Sequence, residues 1–168
     1  MKFASISDDF FNLCSFDKEL LNNTGRRPYL IILRLKYNGQ RQDFAIPFRS
    51  NIPNHAPRDQ FFSLPPRPNT KTNRIHGLHY IKMFPITKQY LQKFRTDGDP
   101  YYATIQHVIG TSLPEIVTQA QSYIDAYEQG VRVNYSTDIA GIYMAIHGIV
   151  VESEVAATTE PTEEQEYK

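Results

Sequence analysis

The chain has one cysteine and no long apolar segment, and each absence excludes a class of protein. Cys14 is the only cysteine among its 168 residues, which excludes an internal disulfide and a cysteine-based zinc cluster. No run of 18 apolar residues is present, so the sequence predicts no membrane-spanning helix and no membrane partner. Residues 1–5 lack the apolar stretch of a signal peptide. We therefore expect a cytoplasmic protein with Cys14 in its core.

Several common catalytic motifs are also absent. The sequence contains no Gly-x-x-x-x-Gly-Lys phosphate loop, no Gly-x-Gly-x-x-Gly turn, no Gly-x-Ser-x-Gly elbow and no His-Glu-x-x-His pair. Each of these motifs holds a phosphate, a dinucleotide, a nucleophile or a zinc ion through a defined local geometry. We therefore expect neither a cofactor nor a metal site.

Acidic residues are scarce in the middle of the chain, although the overall charge is zero. Residues 26–95 carry fourteen Lys and Arg but only Asp43 and Asp59 as acids, whereas the segment from Glu152 carries six Glu against Lys168. Ten aromatic residues are interleaved with the cations, a composition that suits a polyanion whose bases can stack. The alternative interpretation is a half-exposed sheet with a basic outer face.

The scarcity of carboxylates also restricts the chemistry of any nuclease built on this block. Two-metal nucleases need oxygen ligands for Mg²⁺, and the basic block supplies almost none. RNA allows a route without metal, because its 2′-OH can attack the adjacent phosphate. That reaction leaves a 2′,3′-cyclic phosphate and a 5′-OH.

The first half of the chain reads mainly as strands. The predicted elements are a strand at Lys2–Ile6, a helix from Ser7 to about Phe16, a hairpin with strands Tyr29–Lys36 and Gln42–Phe48 around an Asn38-Gly39 turn, a strand at Phe61–Leu64, a mobile loop at Pro65–Asn73 and a strand at Leu78–Phe84. Pro47 predicts a strand end or an edge, and Pro85 ends the last strand. Residues 86–94 fit either a strand or a short helix.

The last third reads as helices. One helix opens at Pro100 and runs to about Ile109, a second follows a capping box at Ser112 and closes at Gly130, and a third runs from a cap at residues 136–138 to about His147. Residues 152–168 are rich in Glu and Thr, which predicts a disordered acidic tail. The sequence thus predicts a single domain over residues 1–151.

A cluster of polar residues follows the predicted hairpin. Arg49, Ser50 and Asn51 form a predicted loop at the end of its second strand, and Arg26 and Arg27 precede its first. Because paired antiparallel strands bring these ends together, Arg27 and Ser50 should be neighbours. A guanidinium, a hydroxyl and an amide can hold a phosphate between them. The alternative is that Arg49 and Ser50 only bond the backbone at a turn.

Histidines supply the candidates for proton transfer near neutral pH. His55 lies in the proline-rich loop, and His76 and His79 flank Leu78, where they could face one site. The alternative for each is a structural histidine. The full set of predicted RNA-binding residues is Arg26, Tyr29, Asn51, Arg58, Arg67, Lys71, Arg74, His76, Lys82 and Lys88.

Several short motifs, in their order and spacing, resemble the type III toxin–antitoxin endoribonucleases of bacteria (ToxN, AbiQ and CptN-like). The matching segments are Lys2-Phe3, Ile6-Ser7-Asp8, Phe16-Asp17, Arg27-Pro28-Tyr29-Leu30-Ile31-Ile32-Leu33, Ala45-Ile46-Pro47-Phe48-Arg49-Ser50, His55, Gly77-Leu78-His79 and Met83-Phe84-Pro85-Ile86. The likeness covers residues 1 to 95. In this alignment Ser50 matches the family serine and Arg27 its basic residue, whereas Arg49 replaces a Ser or Thr and His79 replaces an Asn.

The resemblance implies an α+β fold with a compact, strongly bent antiparallel sheet or barrel, like that of MazF and Kid, surrounded by helices. It implies metal-independent cleavage of cellular RNA and inhibition by a pseudoknot RNA antitoxin, assembled with the toxin into a closed multimeric complex. The residues that we expect to take part in catalysis are Ser50, Arg49, Arg27, His55 and His79. Two alternatives remain: a non-catalytic RNA-binding module, and an adaptor for an acidic protein.

Overall fold

A strongly curled antiparallel sheet forms the centre of the computed structural model, which describes residues 3–21 and 28–149. Its strands are β1 (Phe3–Ile6), β2 (Tyr29–Tyr37), β3 (Gln40–Pro53), β4 (Phe61–Leu64), β5 (Arg74–His79), β6 (Phe84–Ile86) and β7 (Leu91–Lys93). Their order is β4-β5-β3-β2-β1-β7, with β6 paired to β3 off this path. The predicted α+β fold with a bent antiparallel sheet is thereby confirmed.

Four helices pack around this sheet, three of them in the last third of the chain as predicted. They are α1 (Asp8–Leu13), α2 (Pro100–Thr111), α3 (Leu113–Glu128) and α4 (Ile139–His147), with short 3-10 turns at Arg58–Gln60, Tyr80–Lys82 and Lys88–Tyr90. Asp99 caps α2 and Asp138 caps α4 through side-chain hydrogen bonds. The capping box predicted at Ser112 is wrong, because its side chain makes no cap hydrogen bond.

The hairpin between β2 and β3 forms as the sequence predicts, but its second strand runs further. Asn38 and Gly39 have φ values of 51° and 72°, which only a type I′ turn combines. Pro47 neither ends β3 nor lies at a sheet edge. It pairs with Tyr29 at the end of the β2 ladder, and from Phe48 onward β3 pairs with β5. A residue without an N–H therefore occupies the point where the strand changes partners.

The strand predicted at Leu78–Phe84 is misplaced by four residues. β5 begins at Arg74 rather than Leu78 and ends at His79, after which the chain makes a 3-10 turn. Pro85 lies inside β6, which pairs only with β3, so the missing N–H interrupts no second ladder. The ambiguous segment 86–94 contains both a 3-10 turn and β7.

Two apolar clusters lie on either side of the sheet. One packs β2, β3 and β5 against α2 and α3, with Phe44, Leu78 and Ile124 among its buried members. The other packs β1, β2 and β6 against α1 and α4 and includes Tyr29 and Cys14. Burial raises the pKa of the Cys14 thiol to about 11, with a smaller contribution from Asp17, so this residue is a core side chain as expected.

Several predicted features lie outside the described residues. They are Arg26, Arg27, the domain boundary at residue 151 and the acidic tail from Glu152. Within the described ranges, no helix combines the length and the apolar character needed to cross a bilayer.

Gly77 in β5 predicts a severe substitution effect. A Cβ at this position would lie far inside van der Waals contact of the Phe62 carbonyl oxygen on β4, so Gly77→Ala should destabilise the protein by about 1–3 kcal/mol. Gly110 near the end of α2 has no atom within 4 Å of an added Cβ, and Gly110→Ala should stabilise by up to about 1 kcal/mol. Urea unfolding of both variants measures the contrast. Equal stability of the two would contradict the close approach of β4 and β5.

Candidate nucleic-acid interface

The predicted phosphate-binding residues lie in a β-bulge and not in a loop. Arg49 pairs with Gly77 and Ile52 with Ile75, so Ser50 and Asn51 together oppose the single residue His76. A bulge of this kind bends the strand and redirects side chains, and such bulges are frequent next to active sites. Arg49, Ser50 and Asn51 are all partly exposed. The sequence prediction of a loop was wrong because β3 continues to Pro53.

The segment 65–73 is a loop, as predicted, and it is tied to the bulge. The Asn51 side-chain oxygen accepts a hydrogen bond from the Lys71 amide at 3.2 Å. At its other end the Tyr101 hydroxyl donates to the Pro65 carbonyl at 3.1 Å. Inside the loop the Arg67 amide donates to the Thr70 hydroxyl at 2.9 Å. These contacts hold the cations of the loop beside the bulge.

Arg67 rests on two tyrosines from the start of α2. Its guanidinium carbon lies 4.8 Å from the centre of the Tyr101 ring and 5.2 Å from that of Tyr102. Its Nη2 donates to the Tyr102 hydroxyl at 3.3 Å. We did not predict a role for either tyrosine. The signal available in the sequence was a Tyr-Tyr pair directly after a helix cap, far along the chain from the basic loop.

His79 is buried, with 2% of its surface exposed, and contacts Arg49. The Arg49 Nη1 lies 3.2 Å from His79 Nδ1. Because a guanidinium only donates, Nδ1 accepts this bond. Burial, then the charges of Arg49 and Lys82, lower the His79 pKa to about 3. His79 is therefore neutral at physiological pH and orients Arg49, which does not fit the predicted role in proton transfer.

His76 is also buried, and it does not share a face with His79. Residues three apart on a strand point to opposite faces, so the prediction that both histidines face one site is wrong. The His76 ring stacks on Phe48 at 6.3 Å and meets Tyr101 at 5.9 Å. Burial, then Arg67, lower its pKa to about 4, with a small opposing effect of the Arg49 backbone. Neither ring nitrogen has a hydrogen bond of ordinary geometry within the described structure.

Three of the residues predicted to contact RNA are buried, so these three predictions are wrong. His76 is enclosed by Phe48 and Tyr101, as just described. Tyr29 has no exposed surface, and its hydroxyl donates to the Leu21 carbonyl at 2.6 Å. Lys82 is 4% exposed, and its ammonium pairs with the Glu19 carboxylate. None of these side chains can reach a ligand in this conformation.

Four of the remaining predicted RNA contacts, and the predicted proton carrier His55, lie at the surface. Arg58, Lys71, Arg74, Lys88 and His55 are exposed. Between residues that the structure describes, the Lys82 pair with Glu19 is the one ion pair, so none of these four cations is neutralised there. Arg58 also stacks on Phe61, 5.7 Å from the ring centre, and lines a groove of about 430 Å³ against α3.

The described part of the chain contains no group of three or more His, Cys, Asp or Glu placed to hold a metal ion. The donors at the bulge are nitrogens and neutral oxygens: Arg49, Ser50 and Asn51. Such a set binds anionic oxygens through hydrogen bonds and positive charge.

Comparison with known proteins identifies the fold. No protein-family profile and no curated protein matches the sequence. Three solved structures match closely in three dimensions. One comes from a bacterial antiviral system that a processed non-coding RNA regulates, with a TM-score of 0.67 and 16% identity over 88% of this chain and 98% of that one.

The second is from a bacterial type III toxin–antitoxin system whose toxin is selectively inhibited by a non-coding RNA pseudoknot, with a TM-score of 0.68 and 19% identity over 88% and 96% of the two chains. The third is AbiQ, a lactococcal anti-phage endoribonuclease of a type III system, with a TM-score of 0.64 and 13% identity over 87% and 95%. The chain has the fold of type III toxins, and the resemblance drawn from its motifs is confirmed at that level.

The two buried histidines predict a pH dependence of stability. Their folded pKa values lie below the ordinary value of 6.5, so the unfolded chain binds protons that the folded chain does not. Their contribution is complete above pH 6.5 and is lost as the pH falls towards 4 and 3, by up to about 1.4 kcal/mol per pH unit for each histidine. Urea unfolding between pH 7 and 4 measures this slope.

The variant His76→Phe should flatten that slope, because it removes one of the two groups and keeps a ring against Phe48. His107→Gln, at an exposed position of α2, serves as the matched control and should leave the slope unchanged. A wild-type slope in His76→Phe would mean that His76 is not held neutral in the folded protein.

Proposed function

We propose that this protein is an endoribonuclease toxin that an RNA antitoxin controls. The observation that carries the proposal is the bulge of β3, where Arg49, Ser50 and Asn51 lie beside cations of the 65–73 loop, within the fold of type III toxins. One neighbour with this fold is an anti-phage endoribonuclease. Fold alone does not define chemistry, and the donor set at the bulge supplies the argument for a phosphodiester substrate.

The proposed reaction is attack of a ribose 2′-OH on its own 3′-phosphate. The 2′-oxygen forms a bond to phosphorus and loses its proton, and the bond from phosphorus to the 5′-oxygen of the next nucleotide breaks as that oxygen gains a proton. No water and no metal enter the step. The products carry a 2′,3′-cyclic phosphate and a 5′-OH.

Residues at and around the bulge have proposed roles in that step. Arg49, with Arg27, which precedes β2 in the sequence, stabilises the charge that develops on the phosphate oxygens. Ser50 positions the phosphate or the 2′-OH. His55 is exposed just beyond β3 and is the proposed proton carrier. His79 acts through Arg49 as a positioning residue, because its Nδ1 is occupied by the Arg49 guanidinium.

The exposed cations bind the RNA backbone in this proposal. Among the described residues they are Arg58, Lys71, Arg74 and Lys88, joined by the partly exposed Arg67 and the neutral Asn51. Arg26, which lies outside the described residues, is proposed as a further contact. Each phosphate that they neutralise releases counterions, which makes binding strongly dependent on salt. The same surface would bind a folded antitoxin RNA in a closed multimeric complex within the cytoplasm, in keeping with the pseudoknot inhibition described for one neighbour.

A second function, RNA binding without cleavage, is favoured by one observation. Two of the three histidines first considered for proton transfer are buried and neutral, so general acid–base catalysis depends on His55. A binding module would protect RNA and generate no cyclic phosphate ends.

Ser50→Ala tests the catalytic proposal. Loss of one group that stabilises the transition state lowers rates by about 10²–10³, so the variant should lose cleavage and cellular toxicity while its thermal unfolding stays unchanged. Ser63→Ala, on the exposed side of β4, is the matched control and should cleave at the wild-type rate. A folded Ser50→Ala protein that cuts RNA as fast as the wild type would remove Ser50 from the mechanism.

The end groups and the effect of chelation test the chemistry. Because the bulge offers no carboxylate set for Mg²⁺, cleavage should persist in excess EDTA. Mass spectrometry of the 5′ fragment should detect a 2′,3′-cyclic phosphate. If EDTA stopped cleavage and added Mg²⁺ restored it, the metal-independent mechanism would be wrong.

A further inference from the structure

An aromatic cluster beside the bulge has no role in the mechanism above. Its centre is Tyr102, whose ring lies 5.3 Å from Phe94, 5.7 Å from Phe3 and 5.8 Å from Tyr101. Tyr101, Tyr102 and Phe94 are each only partly buried. Phe3 and Tyr101 also pack against the first buried cluster, whereas Tyr102 and Phe94 belong to neither cluster.

We propose that this cluster, with Tyr102 as its contact ring and Arg67 as its cation, stacks one unpaired base of the bound RNA and so makes the interface selective for single-stranded RNA. The proposal rests on the proposed function only in taking RNA as the ligand. The aromatic cluster is proposed to bind a base, whereas the bulge is proposed to bind the phosphate.

The position of the cluster supports this assignment. Tyr101 contacts His76 at 5.9 Å, and His76 lies directly across the ladder from Ser50 and Asn51. Tyr101 is therefore separated from the phosphate-binding bulge by one buried side chain, and Tyr102 follows as the next ring, 5.8 Å from Tyr101. A base site and a phosphate site that are this close in the fold can bind neighbouring nucleotides of one RNA strand.

The contacts and the charge of Arg67 also support the base-stacking proposal. Its guanidinium lies over two aromatic rings and bonds one tyrosine hydroxyl, and it forms no ion pair with a described carboxylate. The loop that carries it is fixed at Pro65 and Lys71, which reduces the ordering that a ligand must impose. A fixed, uncompensated guanidinium next to aromatic faces is the arrangement by which proteins hold single-stranded nucleic acid.

The chemistry favours an unpaired base over a base pair. Bases in a duplex are already stacked on both faces, so an aromatic side chain cannot reach them without unpairing. An unpaired base offers its face freely, and stacking on a protein ring is tolerant of base identity. The cluster therefore distinguishes strand pairing, not sequence.

The test uses the full-length protein and a short single-stranded RNA with 2′-O-methyl groups throughout, which cannot be cleaved by 2′-OH attack. Tyr102→Leu should weaken binding about tenfold or more, because one base–aromatic stack is lost. Tyr102→Phe keeps the ring and should restore the binding. Tyr135→Leu, at a tyrosine that is 75% exposed and outside the cluster, should bind like the wild type. The salt dependence should keep its slope in Tyr102→Leu, because Arg67 keeps its charge and its position over the Tyr101 ring.

Two further measurements keep the proposal testable if Tyr102→Leu does not fold. First, single abasic substitutions along the same RNA should reveal one position at which loss of the base weakens wild-type binding about as much. Second, 2-aminopurine at that position should lose fluorescence on binding. Equal affinity of Tyr102→Leu and wild type for the single strand, or no sensitive position in the abasic series, would overturn the proposal.

A duplex of this RNA with its complementary strand should bind wild type and Tyr102→Leu with equal affinity. A loss of duplex binding in the variant would also contradict the assignment. Cleavage of unmodified RNA is measured separately. A protein that stacks a base but cuts nothing would refute the endoribonuclease proposal and leave the base-binding site in place.

Discussion

The structure depends on the sharing of one long strand between two ladders. β3 pairs with β2 and β6 through its first half and with β5 through its second, so the β4–β5 part of the sheet and the β2–β1–β7 part are joined through one backbone. The close packing of β4 on β5 at Gly77 completes the second ladder. Because the bulge lies within β3 itself, its backbone is held by the paired residues before and after it, Arg49 and Ile52, and not by a loop.

The cations of the basic block are divided between one buried ion pair and an exposed set. One lysine of the basic block, Lys82, is buried with Glu19 and serves packing between the turn after β5 and the segment after α1. The exposed cations have no such partner among the described residues, and their mutual repulsion destabilises the free protein. A polyanion that bound these cations would relieve that repulsion, and this relief would contribute to the RNA affinity that we propose.

The sequence was most informative where structure is local. The Asn-Gly turn, the start of α2 at Pro100 and the cap of α4 within residues 136–138 depend on residues within a few positions of one another, and each was predicted. The bulge at Ser50 and Asn51 was not predicted, because it arises where two residues of β3 oppose one residue of β5. The opposing residue lies more than twenty positions away in the sequence. Burial of Tyr29 and Lys82 depends on equally distant partners. The Tyr102 cluster escaped notice because its ring partners Phe3 and Phe94 come from other elements.

The burial of Cys14 makes the protein convenient for site-specific spectroscopy. It is the only cysteine in the chain and has no exposed surface, and its raised pKa leaves almost no thiolate near neutral pH. Thiol reagents attack the thiolate, so the folded protein should be inert to them. A cysteine introduced at an exposed position would then take up a dye selectively, without replacement of the native residue, while reaction at Cys14 would report that the core has opened.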